Sequence, residues 1–99
     1  MLDNELKINY ISKDYGIALK QPIIVQVRSA NTGYRYLAFW NYDCGFGNTV
    51  EDACKDLISN AVSAYKLLKK CVFTGDDFND DILIRTKYIR YEQFFEDLE

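Results

Sequence analysis

Three cysteines, Cys44, Cys54 and Cys71, and the carboxylates of Asp76 to Asp81 have the functional groups for nucleophilic or metal chemistry, and no histidine is present to assist them. Histidine is the usual general base near neutral pH and the commonest metal ligand, so its absence weighs against both kinds of site. A thiol nucleophile needs a base or a strongly electropositive setting. Cys44 stands between Asp43 and Gly45, which supply neither, and reads as an ordinary loop thiol; a small enzyme using Cys44 is the contrasting alternative. Cys54 falls on an apolar stripe and is expected in the core. The odd count and the lack of a C-x-x-C pair fit unpaired thiols in a reducing cytoplasm rather than a disulfide framework or zinc site. No catalytic residue, cofactor or metal is expected.

Gly45-Phe46-Gly47 ahead of a helix could offer backbone N–H groups to an anion. The third glycine of a dinucleotide fingerprint would fall at Val50, no Gly-Lys-Ser/Thr follows, and Glu51 and Asp52 repel phosphate, so the corner reads as structural. Asp77, Asn79 and Asp81 align with the first, third and fifth positions of a calcium loop. Ile82 then stands where glycine is required and Tyr88 where the terminal glutamate belongs. The acidic loop reads better together with the tail. Asp76, Asp77, Phe78, Asp80 and Asp81 join Tyr91, Glu92, Phe94, Phe95, Glu96 and Asp97 in an acidic, aromatic C-terminal quarter, a composition suited to docking a basic protein. The competing reading is a solvated acidic face whose aromatics point into the core. Arg85, Lys87 and Arg90 make a basic set on the expected last strand, read as edge protection.

These residues must be positioned by the elements around them. Leu6, Ile8 and Tyr10 alternate with Lys7 and Asn9 as a first strand, and Ile17 to Lys20 is a candidate return partner, stopped by Pro22. Ile23, Val25 and Val27 alternate with Ile24, Gln26 and Arg28. Asn31-Thr32-Gly33 then supplies turn chemistry before Tyr34 to Tyr42, so a hairpin is predicted. Its second strand carries Tyr36, Ala38 and Trp40 on one face and Leu37 and Phe39 on the other, the pattern of a central strand with both faces at least partly covered.

After the glycine corner, Asn48 or Thr49 caps a helix with Glu51 and Asp52 in its first turn. Val50, Ala53, Cys54, Leu57, Ile58, Ala61, Val62, Tyr65 and Leu68 recur at three- and four-residue steps over roughly 20 residues. Ile82, Ile84, Tyr88 and Ile89 read as a last strand. Tyr91, Phe94, Phe95 and Leu98 fall at helical spacing, predicting a short amphipathic helix from Tyr91 to Leu98. The expected fold is a single α+β domain: a mainly antiparallel sheet of four or five strands, one long helix packed on one face, and a short C-terminal helix.

The segment from Ile23 to Leu68 resembles the core of HicB-like antitoxin domains in its hairpin, its cysteine- and glycine-bearing loop and the Gly47-x-Thr49-x-Glu51-x-Ala53 opening of its helix. The resemblance implies a small, catalytically inactive sheet-and-helix domain that blocks a toxic ribonuclease. The proline loop usual before that motif is missing, and so is a C-terminal DNA-binding unit, so operator binding is not expected. The same stretch is similar to the end of a double-stranded RNA-binding domain, but Thr49-Val50-Glu51-Asp52 replaces the basic helix start that contacts phosphates.

At 48% hydrophobic and 15% aromatic the chain has material for one core, and its net charge of −3 gives no field drawing it to a phosphate backbone or anionic membrane. No secretory leader or run of eighteen apolar residues is read at the sequence level, so a cytoplasmic chain is expected. The function expected is a non-catalytic inhibitor of a basic nucleic-acid-processing protein, such as a nuclease or nucleoprotein complex. Phage- or mobile-element-encoded inhibitors of the anti-CRISPR or anti-defence type are the class it fits. A HicB-like antitoxin is the alternative.

Overall fold

The computed structural model describes residues 4–31, 33–74 and 82–98. Nine elements run along it: β1 (Asn4–Ile8), a 3-10 turn (Lys13–Tyr15), β2 (Ile17–Leu19), β3 (Ile23–Ser29), β4 (Tyr36–Trp40), β5 (Asp43–Gly47), α1 (Val50–Thr74), α2 (Ile82–Phe94) and β6 (Phe95–Asp97). The class is α+β. An antiparallel sheet has the order β1-β3-β4-β5, and a small ribbon pairs β2 with β6.

The predicted hairpin is β3–β4, in register from Gln26↔Phe39 to Ser29↔Tyr36 and closed by the Ala30 N–H on the Arg35 carbonyl at 2.9 Å. β4 is central, as its sequence implied. Asp43-Cys44-Gly45-Phe46-Gly47, read as a glycine corner, is instead strand β5. A two-residue turn, Asn41 and Tyr42, makes this possible. Both residues have positive φ, 53° and 72°, the left-handed conformation that a tight hairpin of this twist requires. Asparagine tolerates it; for tyrosine it costs on the order of 1–2 kcal/mol, which is why the turn was not evident in the sequence.

Thr49 caps α1: its hydroxyl accepts the Asp52 N–H at 3.0 Å. The helix runs 25 residues, longer than the predicted span, and buries Ala53, Leu57, Ile58, Ala61, Val62 and Tyr65 against the sheet. Gly45 and Gly47 explain how it lies so close to β5. A Cβ on Gly45 would sit 2.1 Å from the Leu57 nitrogen, and one on Gly47 would sit 2.4 Å from the Ala53 nitrogen. Helix and strand backbones meet directly there, with no side chain between them.

The expected short C-terminal helix is present with different bounds, and two strand expectations are overturned at this end. Ile82 to Ile89 is not a strand but part of helix α2, whose inward positions Ile84, Lys87, Tyr88, Tyr91 and Phe94 follow a three- and four-residue step. Its β-branched residues favour strands only weakly, and burial of the two tyrosines decides the outcome. The helix predicted over Tyr91 to Leu98 ends at Phe94, and β6 follows. β2, proposed as a partner for β1, pairs with β6 instead, from Ile17↔Asp97 to Leu19↔Phe95. The Lys20 N–H donates to the Phe94 carbonyl at 2.7 Å and the Leu98 N–H to the Gly16 carbonyl at 3.0 Å, bracketing the ribbon.

The core is aliphatic under β3, where Ile23, Val25 and Val27 are buried, and aromatic beside α2. Trp40 lies 5.9 Å from Tyr91, 5.3 Å from Phe94 and 5.7 Å from Phe95, and Tyr65 packs edge-on to Tyr91 and Phe95. Among the described residues, no helix is long and apolar enough to cross a membrane.

Candidate functional site

Alternation along the strands points half of their side chains away from α1. On that outer face β3 presents Ile24, Gln26 and Arg28, β4 presents Leu37 and Phe39, and β5 presents Cys44 and Phe46. Nothing among the described elements forms a second layer there. Leu37 and Phe39 are half-buried by their neighbours on the sheet, while Ile24 and Phe46 remain 46% and 37% exposed.

The face is organised rather than merely apolar. The Arg28 guanidinium lies 5.0 Å from the centre of the Phe39 ring, and Tyr34 leans on Phe46 with centroids 6.0 Å apart. Leu37, Phe39, Tyr42, Cys44, Phe46 and Arg90 line an open concavity of about 660 Å³. Tyr42 is 69% exposed at its rim, on the backbone turn with the strained φ. Strained residues of this kind concentrate at sites of function.

The floor of that region is anchored from inside. Asp43 is buried, accepts the Tyr91 hydroxyl and pairs with the Lys87 ammonium at 2.8 Å, while the Asn41 amide donates to the Lys87 carbonyl at 3.1 Å. These contacts tie α2 to the β4–β5 turn. Burial, with the adjacent Asp43 carboxylate, pushes the Tyr91 phenol far above its usual range. Tyr88, desolvated and beside Glu92, is pushed up to about 12.

The residues singled out from the sequence are divided by the structure. Asp76, Asp77, Phe78, Asp80 and Asp81 lie outside the described residues. Tyr91 and Phe95 are fully buried in the aromatic core and are no contact surface, which corrects the docking reading for both. Phe94 is half-buried, edge-on to Trp40 and under the Arg90 guanidinium. Glu92, Glu96 and Asp97 are exposed. Asp97 pairs with Lys69, and Glu92 accepts the Tyr88 hydroxyl at 3.2 Å. The tail therefore keeps its carboxylates outside and turns most of its aromatic surface inward.

Of the cysteines, Cys44 lies exposed on the outer sheet face, not in a loop. Cys54 packs half-buried against the core, where desolvation pushes its thiol up. Among the described residues no three His, Cys, Asp or Glu side chains come together as a metal-binding group. The sequence reading missed Ile24, Leu37, Phe39 and Phe46 as a surface. The available signal was arithmetic: one long helix covers one face of one sheet, so apolar residues alternating onto the other face need a cover from elsewhere. Comparison with protein-family models, with curated proteins and with solved structures finds no match.

Proposed function

We propose that this chain is a non-catalytic binding domain that sequesters a protein partner through the uncovered face of its sheet. The observation supporting it is the arginine-flanked aromatic surface of Phe39, Phe46, Tyr34 and Tyr42, over which no described element forms a second layer. Aromatic residues and arginine are the types enriched where protein interfaces concentrate their binding energy. The net charge of −3 favours a protein over a phosphate backbone and gives long-range attraction to a basic one. The partner class we infer is a basic, nucleic-acid-processing protein held inactive by the complex, as small anti-defence inhibitors do.

A HicB-like antitoxin is the second reading. What favours it is the succession of hairpin, β5 and Thr49-capped α1 over the segment that carries the resemblance. It predicts a small basic ribonuclease as partner.

The test is capture of partners from a nuclease-treated bacterial lysate by the wild-type chain and by the Ile24→Glu/Phe46→Glu variant. The wild type should retain one stoichiometric protein, and the variant should lose it by about tenfold or more, equivalent to about 1.4 kcal/mol, with unchanged circular dichroism. Equal capture by both would remove the sheet face as the site. Recovery of nucleic acid alone would overturn the protein-binding reading, and loss of ribonuclease activity in the captured protein would select the antitoxin.

A further inference from the structure

The sheet has two edges, β1 and β5, and they are treated differently. An edge strand presents unpaired backbone groups that another strand can use. On β5 the outward groups belong to Cys44 and Phe46, and α1 caps them. The Asp56 carboxylate accepts the Phe46 N–H at 2.9 Å, and the Asn60 amide donates to the Cys44 carbonyl at 2.8 Å.

The β1 edge has no such cap among the described residues. Which of its groups face outward follows from the ladder. The Ala30–Arg35 bond marks the hydrogen-bonded pairs of the β3–β4 hairpin, so Gln26 and Arg28 face β4, and Ile23, Val25 and Val27 face β1. Their partners Ile8, Leu6 and Asn4 are thereby used. The N–H and C=O groups of Glu5 and Lys7 point to the open side. Both side chains lie on the outer face, where Glu5 accepts the Gln26 amide at 3.1 Å.

We infer that β1 pairs antiparallel with β1 of a second copy of this chain about a two-fold axis through Leu6, joining two sheets into one of eight strands. That register sets Glu5 opposite Lys7 of the other copy, twice. Four backbone hydrogen bonds and two ion pairs form together, and the half-buried Leu6 meets its own symmetry mate on the inner face. Charge selects this register. An axis through Glu5 sets two carboxylates face to face, and an axis through Lys7 sets two ammonium groups face to face, both unfavourable. A single-sign edge would repel its copy; alternating signs two residues apart are self-complementary in antiparallel pairing.

Sedimentation equilibrium from micromolar to millimolar concentration tests this. The wild type should be a dimer, and Glu5→Lys or Lys7→Glu alone should weaken it by about tenfold or more, while Glu5→Lys/Lys7→Glu restores it. Glu5→Pro removes an outward N–H without touching the β3 ladder and should give a folded monomer. A wild type that stays monomeric, or single charge reversals without effect, would overturn the pairing. A dimer broken by Ile24→Glu/Phe46→Glu and not by the charge reversals would place the contact on the sheet face instead.

Discussion

Both faces of the four-stranded sheet carry large apolar side chains, yet only the inner one is graded in size. Under α1 the side chains shrink to nothing at Gly45 and Gly47 and to methyl groups at Ala38, Ala53 and Ala61, so that backbones can meet. Toward α2 they swell to Trp40, Tyr65 and Tyr91. The outer face has no such gradient: its large side chains, Ile24, Phe39 and Phe46, stand where no described element packs on them. Size on the inner face is set by the distance to the next layer, whereas on the outer face it is unconstrained by the fold. Substitutions should therefore separate cleanly, inner ones changing stability and outer ones changing binding.

The largest expected effect is at the seam. Gly45→Ala puts a carbon 2.1 Å from the Leu57 nitrogen and 2.6 Å from the Ala53 carbonyl oxygen, both backbone atoms that cannot swing aside. A loss above about 4 kcal/mol is expected, read by urea denaturation, placing it among the rare severe single substitutions. Trp40→Ala should follow at about 3–5 kcal/mol, because it empties the centre of the aromatic cluster. Tolerance of either would mean that the inner face relaxes more than its close contacts imply.

The polar anchor should give a smaller, pH-linked effect. Tyr65, Tyr88 and Tyr91 all have phenols raised above the ordinary value near 10, chiefly by burial. A raised phenol favours the protonated native state, so its contribution is fully present below about pH 10 and declines as pH climbs from the unfolded value through the folded one. Spectrophotometric titration should show three phenols ionising above the ordinary range, with stability falling over the same alkaline range. Tyr91→Phe should remove one late-titrating group and cost about 1–2 kcal/mol by leaving the buried Asp43 to Lys87 alone.

The outer face should show the smallest stability effects. Ile24→Glu and Phe46→Glu should each change stability by less than about 0.5 kcal/mol in thermal melts, while depressing partner capture. Tyr42→Gly should raise stability by about 1 kcal/mol by relieving the left-handed turn, and still weaken binding if the exposed ring is a contact. A destabilised Ile24→Glu would indicate a cover on that face.

Much of the fold could be read locally. The β3–β4 hairpin, the Thr49 cap and the apolar stripe of α1 are encoded within short windows, by turn residues, capping chemistry and a 3.6-residue period. The C-terminal third was not readable in that way. Ile82, Ile84 and Ile89 have a strand-like composition, but their helix is held through Tyr91, which packs on Trp40 and donates to Asp43, 48 residues away in the chain. The site followed the same division: the acidic, aromatic tail was visible as composition, but composition does not say which side a ring faces.

What the sequence determined by itself is the material and the local rules: an α+β chain with a capped helix, a central hairpin, three cysteines and no histidine. The tertiary structure alone decided that Asp43 to Gly47 is a strand, since only the approach of α1 shows why two glycines must stand there. It also decided that Tyr91 and Phe95 are core and that Phe39 and Phe46 are surface. Alternation specifies two faces without naming them. The choice between inside and outside belongs to whichever face the long helix can reach, and that depends on contacts between residues distant in the chain.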